Sequence, residues 1–266
     1  MAKTLRSTIY TAAVALVLTV VFTSCEPEKN NPPASVDNSN GITLKFTGLL
    51  GGKDVSEISG IGHVPKSEGE RMAVSNWAMI LSHVALIKTN GDTVQLGDGY
   101  QYVNYLESSK NSRTVRNIPE GDYKGITFLL GLDYDVNHDD PAKWPANHPL
   151  NGFTTGLHWG WSSGYIFHAL DGNYKKDSSS NTIQGFSFHT ATDRYPKKIT
   201  LNLNFTIGKT VKTAIVKSNA EDFFANPNSI KLANGSVSHS EGSSEIVLMD
   251  KFIQNVVTAF TLTAVE

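Results

Sequence analysis

A single cysteine, Cys25, among 266 residues excludes an intrachain disulfide and any metal site built on paired thiolates. Charge of one sign is missing too. The 23 Lys and Arg are balanced by 25 Asp and Glu, and the basic residues are scattered, so nucleic acid is not the expected partner. The motifs of common enzyme chemistry are absent: there is no GxSxG, no HExxH and no phosphate-cradling glycine loop. No cysteine pair for haem attachment occurs either. Ser and His are plentiful, but no pattern pairs a nucleophile with a base. The expectation is a protein that is not an enzyme.

What is present begins at the N-terminus. Lys3 and Arg6 form a short basic region, Tyr10 to Phe22 carries no charge, and Ser24-Cys25 follows directly. This is the layout of a secretory signal, and the apolar run is short for a spanning helix, which needs about 20 residues. A small residue before the only cysteine and a polar stretch after it suit lipid attachment at Cys25. The expected organisation is a lipoprotein signal peptide over residues 1–24, a flexible tether over 25–40 rich in Pro, Asn, Glu and Ser, and one domain over 41–266. The chain is then exported and held to a membrane by the lipid on Cys25, at the periplasmic face or the cell surface of a Gram-negative-type envelope.

Within the domain the dominant period is two. Ile42, Leu44 and Phe46 alternate with Thr43, Lys45 and Thr47, and Ile199, Leu201, Leu203, Phe205 and Ile207 alternate with polar residues, as strands with one buried face do. Ile80 to Ile87 is apolar on both faces, and Asn90-Gly91 separates it from Val94 to Leu96, a hairpin signal because that dipeptide accepts positive φ. Further strands are expected at Ile126 to Leu132, around Tyr165, Phe167 and Ala169, and around Phe186 and Phe188. Short helices are expected near 220–225 and from Asp250, with the aspartate as cap and Phe252 and Val256 at i, i+4. The fold class is all-β, an antiparallel β-sandwich with short helical insertions and a long Trp/His-rich loop.

That loop, Asn137 to Tyr165, holds His138, His148 and His158 with Trp144, Trp159 and Trp161. Long loops in compact domains are usually functional or disordered, and large aromatics argue against disorder. Three chemistries compete. Imidazoles without thiolate suit copper or zinc, although no HxxxH or HxH spacing is present. The tryptophans can equally close one end of the sandwich, with hydrogen-bonded histidines around them. Trp159 and Trp161, two apart in an extended segment, share a face and with Tyr165 suit stacking on sugar rings, so a surface glycan-binding or assembly lipoprotein is the alternative. The acidic run from Asp133 to Asp140 lacks the glycine and glutamate of a helix-loop-helix calcium site and reads as a solvated loop.

Several motifs in one order carry a resemblance. They are Ile118-Pro119-Glu120-Gly121-Asp122-Tyr123, Phe128 to Asp133, Asn137-His138-Asp139-Asp140-Pro141, His148-Pro149-Leu150-Asn151, Trp159-Gly160-Trp161-Ser162-Ser163-Gly164-Tyr165-Ile166-Phe167 and Phe188-His189. Together they resemble the MbnP family of methanobactin-associated copper proteins, over most of residues 42 to 206. The resemblance implies an extracytoplasmic β-sandwich that binds copper(I) through histidine and, in some members, through kynurenine made from a tryptophan by a dihaem peroxidase-like oxidase. It implies His138 and His189 as ligands and Trp144, Trp159 or Trp161 as the modified residue; His148 or His158, from the same loop, is the expected third ligand. Indole offers only an N–H donor, whereas kynurenine exposes an amine and a ketone. The sequence departs from the family where Gly156-Leu157-His158 replaces a common Gly-Met pair, which removes that methionine as a ligand.

Overall fold

Ile42, Leu44 and Phe46 are almost wholly buried, while Thr43 and Lys45 between them are partly exposed, the alternation that a strand with one buried face requires. The computed structural model describes residues 40–57, 64–66, 69–160 and 164–266; the expected signal, the expected tether up to residue 39, Cys25 and Trp161 lie outside them. In chain order the strands are β1 (Gly41–Leu50), β2 (Lys53–Asp54), β3 (Val64–Pro65), β4 (Arg71–Lys88), β5 (Thr93–Gln95), β6 (Gln101–Asn104), β7 (Ser112–Arg116) and β8 (Gly121–Leu130). After an irregular insertion come β9 (His158–Gly160), β10 (Gly164–Lys175), β11 (Gln184–Ala191), β12 (Lys197–Ile207), β13 (Val211–Asn219), β14 (Val237–Ser238) and β15 (Thr261–Val265). The α-helices are α1 (Tyr134–Asn137), α2 (Gly152–Thr155) and α3 (Ser243–Thr258).

Among the described residues the smaller sheet runs β15-β13-β1-β2, with β7 also on β1, and the larger runs β12-β8-β4-β10-β11-β14 with β3, β5, β6 and β9 attached. The two sheets face each other across one core: Phe46 of β1 meets Phe128 of β8 edge-on at 6.0 Å, and Tyr105, stacked on Trp77 at 4.1 Å, reaches Ser218 of β13. The β-sandwich expected from the alternation is therefore present. Two of its pairings are parallel rather than antiparallel, β1 with β13 and β11 with β14.

The strand β4 organises everything that follows. One of its edges pairs with β10 through Arg71 to Met79 and then with β8 through Leu81 to Lys88. Both partners run antiparallel to β4, so they lie end to end along the same edge. The chain leaves β8 at Leu130, makes the insertion, and returns into β10 at Gly164. The insertion folds over the outer face of the sheet, where Ala78, Ile80, Leu132, Leu150, Leu157, Tyr165, Phe167 and Ala169 form a second apolar cluster. Met79 and Leu81 point to the main core instead. This double covering is why β4 is apolar on both faces from Trp77 to Leu81, while beyond it Ser82 donates to the Gly131 carbonyl and His83 is exposed; the Asn90-Gly91 turn, with Gly91 at φ 99°, returns β4 into β5 as expected.

Gly131 allows the exit from β8. Its φ is 112°, its N–H donates to the carbonyl of Ile80 at 3.1 Å, and a Cβ there would sit 2.9 Å from the Phe167 ring. The long loop is more ordered than its sequence suggested, since α1 leads into it and it contains α2, β9 and a 3-10 turn at Pro141–Lys143. The expected helix near 220–225 is a 3-10 turn, Asp222–Phe224. The C-terminal helix differs from expectation. It starts at Ser243 rather than at Asp250, and Asp250, instead of capping, binds Arg194 at 2.7 Å. Phe252 and Val256 do enter the core together. No helix of the described residues is long and apolar enough to cross a membrane.

Candidate functional site

Asn137 and His138 end α1, and both bind one carboxylate. Asn137 Nδ2 donates to Asp193 Oδ1 at 3.0 Å and His138 Nε2 donates to Asp193 Oδ2 at 2.9 Å. Asn137 is fully buried, and its Oδ1 accepts the Tyr165 N–H at 2.9 Å, which ties the start of the insertion to the start of β10. A Cβ at Gly164, where φ is 68°, would lie 2.5 Å from that oxygen. The Asn-His pair thus pins the insertion while leaving the His138 ring partly exposed.

His189 lies on β11 opposite Ala169 of β10, on the outer face just beyond the cover of the insertion. Its Nε2 is 2.9 and 3.1 Å from the two oxygens of Asp171, which also accepts from Asn76 Nδ2 at 2.8 Å. A carboxylate only accepts, so Nε2 carries the proton and, in the neutral ring, Nδ1 holds the lone pair. Nδ1 is buried and has no hydrogen-bond partner among the described residues. Burial alone would raise the Asp171 carboxyl, but hydrogen bonds from His189, Ser187 and Asn76 outweigh it and hold the group below the usual carboxylate range. His239 stacks on His189 at 5.0 Å and 26°, and both Nε2 atoms approach Ser187 Oγ, at 3.3 and 3.2 Å. Trp159 of β9 lies against both imidazoles, at 5.7 Å from His189 and 5.8 Å from His239.

The other histidines have different surroundings. His148 stacks on Trp144 at 4.1 Å and 9°, donates from Nε2 to Asp98 at 3.1 Å and accepts the Leu150 N–H at Nδ1, so both ring nitrogens are engaged. Burial lowers its pKa against the opposing pull of Asp98. His158 accepts the Gly160 N–H at Nδ1 and meets the edge of Tyr165; burial lowers its pKa as well. His168, fully buried on the core face, accepts the Trp77 indole N–H at 3.1 Å. Tyr165 is also fully buried, donates to the Leu150 carbonyl at 2.5 Å, and has its pKa pushed up to about 12 by burial. It therefore cannot join Trp159 on an exposed sugar-stacking face, which corrects that part of the alternative expectation.

Of the residues singled out in the sequence, the structure brings Trp159 to His189 and Trp144 to His148. His138 has Asp193 as its partner, and Trp161 lies outside the described residues. Among the described residues no group of three or more His, Cys, Asp or Glu side chains is placed to hold a metal ion. Sequence reasoning missed Asp171, Asp193 and His239. Asp171 did leave a signal: it continues the alternation of Tyr165, Phe167 and Ala169, and a carboxylate at an apolar-face position needs a partner. His239 sits in a stretch with no periodicity and left none.

A family model, MbnP, matches residues 39–242, a span that includes both sheets' central strands, the insertion, His189 and His239. The chain belongs to the MbnP family. Among solved structures, MbnP from Methylosinus trichosporium is similar at 13% identity, covering 77% of this chain and 81% of that one with a TM-score of 0.49. No curated protein matches the chain. MbnP membership makes this a protein of the methanobactin-associated group, and the matched span contains the Asn-His pin, the Trp159 strand and the His189 strand.

Proposed function

We propose that this MbnP-family chain is a lipid-anchored, exported protein that binds copper(I) and catalyses no reaction. The observation that carries the reading is the buried, unpartnered Nδ1 of His189. A carboxylate that fixes one imidazole nitrogen as the donor and leaves the other as a lone pair is the usual outer support of a metal-ligating histidine. His138 has the same arrangement through Asp193, and His239 brings a second imidazole beside His189. Imidazole suits copper. The described histidines do not make a three-ligand group by themselves, which fits a cuprous ion served by few ligands or a site completed by a modified tryptophan. The proposed set is His189 with His138 or His239. His148 is left out because both its nitrogens are engaged.

Trp159 is the proposed site of conversion to kynurenine by a dihaem peroxidase-like partner. Its ring contacts both His189 and His239 and it is 38% exposed, so an external oxidant can reach it. Trp144 is stacked against His148, with its N–H buried, and is the weaker candidate. Copper, when bound, supplies a soft cation held for storage or transfer, while the protein's own residues fix the imidazole tautomers. Lipid on Cys25 holds the domain at its membrane, facing the periplasm or the cell surface.

The test is metal content together with intact mass on protein purified from its native host, beside a His189→Ala variant. Copper near one equivalent, lost in the variant, with the mass gain of kynurenine localised to Trp159, is the expected result. No copper even after copper(I) is offered under reducing conditions overturns the reading and leaves a glycan-binding or assembly role. Palmitate labelling that persists in Cys25→Ala overturns the anchor.

A further inference from the structure

Between β6, β7 and the insertion lies a cleft of about 540 Å³, within the range of small-molecule sites. It is lined on one side by Gln101, Tyr102, Ser112 and Arg113 and on the other by His148 and Asn147. Its hydrogen-bonding groups are unevenly used. Asp98, the one carboxylate on the wall, is already engaged at both oxygens: Oδ1 accepts from Arg113 Nη1 at 3.0 Å and from the Tyr100 N–H at 3.2 Å, and Oδ2 accepts from His148 at 3.1 Å. Those bonds and the guanidinium hold its carboxyl below the usual range in spite of the opposing effect of burial. Its charge is thereby matched inside the wall.

The donors are in surplus. Gln101 is 3% exposed, and its Nε2 is buried with no hydrogen-bond partner among the described residues. A buried amide N–H left unsatisfied costs free energy of about 1–3 kcal/mol, so a fold keeps one where something else fills it. Arg113 directs Nη1 at Asp98 and at the Tyr100 carbonyl, and its Nη2 and Nε have no partner among the described residues. Nη2 passes over Gly97, whose φ of 60° and missing side chain make the room; a Cβ there would lie 2.7 Å from it. Asn147, Ser112 and Thr154 on the same wall can serve a neutral hydroxyl, but the open guanidinium edge, the Gln101 amide and the Lys110 ammonium together favour a partner that brings acceptors only. The complement is a group that only accepts, is planar and carries charge, which is a carboxylate on the open edge of a guanidinium fork.

We infer that this cleft binds the ionised carboxylate of a small organic acid, with Arg113 and Gln101 as its donors. The site is separate from His189 and does not depend on the copper reading. Its signature is that Gln101 stabilises the complex and not the empty protein. Gln101→Leu, close in size, removes an unsatisfied donor, so its melting temperature without ligand is expected to equal or exceed that of the parent.

Thermal denaturation and calorimetric titration of the purified full chain test this, with succinate as the probe and phosphate and glucose as comparisons. Succinate is expected to raise the melting temperature in a saturable way, while phosphate and glucose do not. Gln101→Leu weakens succinate about tenfold or more without losing stability, and Arg113→Lys, which keeps the charge and loses the fork, weakens it as well. Absence of any succinate effect, or an undiminished one in Gln101→Leu, overturns the site. A phosphate or glucose response that exceeds that of succinate overturns the ligand class.

Discussion

Asp171 and His189 form a diagonal pair across β10 and β11, with the imidazole Nε2 at 2.9 and 3.1 Å from the two carboxylate oxygens. Ser187 stands directly opposite Asp171 and Ala169 opposite His189, so the contact arises because residues two apart on neighbouring strands share a face. It fixes one tautomer of a ring whose other nitrogen is buried and unpartnered.

Asp171→Asn tests that relationship. An amide can donate as well as accept, so the His189 tautomer is no longer forced and Nδ1 is no longer held as a lone pair. Copper(I) affinity, measured by competition with a chromogenic chelator, is expected to fall about 10–100-fold, with circular dichroism unchanged. His148→Ala is expected to leave the affinity where it was, because neither nitrogen of that ring is available.

A buried ion pair gives a second prediction, on stability. Lys66 and Glu70 are 3.3 Å apart and buried, and the Glu70 oxygens accept the N–H groups of Leu232 and Ala233 at 2.9 and 2.8 Å. The pair ties the approach to β4 to the segment before β14. Lys66→Met strands a buried carboxylate, and denaturant unfolding is expected to show a loss of about 3–5 kcal/mol. Adding Glu70→Gln is expected to restore part of it, since the amide oxygen still accepts while the charge is gone.

Gly48 of β1 supports a third. An added Cβ would lie 2.7 Å from the Trp77 ring and 2.8 Å from Tyr105, two rings stacked at 4.1 Å in the middle of the core. Neither ring has room to retreat: Trp77 is bonded to His168 and packs edge-on against Phe223, and Tyr105 is fully buried with its hydroxyl on Ser218. Gly48→Ala is expected to destabilise by about 1–3 kcal/mol, read as a lower urea midpoint at unchanged slope.

The sandwich was legible because its strands alternate: a single buried face leaves a period of two in Ile42, Leu44 and Phe46, and two buried faces leave the continuous apolar run from Trp77 to Leu81 in β4. The start of α3 was not. Its first turn, from Ser243, is partly exposed and carries Glu245, so the apolar periodicity begins only where the helix meets the core at Met249. Of the site, His189 and Trp159 were visible as chemistry-bearing residues at ordered positions. Their partners Asp171 and His239 come from other segments, and side-chain pairing between segments leaves no periodic mark on either. The same holds for Asp193, whose link to Asn137 and His138 spans more than fifty residues and is set by where β8 and β10 meet along β4.

His168 makes the fold sensitive to acid. Its Nε2 accepts the Trp77 N–H, so the proton sits on Nδ1, which is buried without a partner among the described residues. Burial, with a further push from His189 and against the pull of Asp171, lowers its pKa to about 3, against about 6.5 in an unfolded chain. Between those values the unfolded chain binds a proton that the folded protein refuses. Stability attributable to this ring is therefore fully present above about pH 6.5 and is lost as pH falls towards 3, at about 1.4 kcal/mol per pH unit. His168→Gln keeps an acceptor for Trp77 and does not titrate. Urea unfolding between pH 4 and pH 7, in the absence of metal, is expected to show a slope of stability against pH that is smaller in the variant by about one proton. Equal slopes in the two proteins show that His168 is protonated in the fold or that the unfolded chain already shields it.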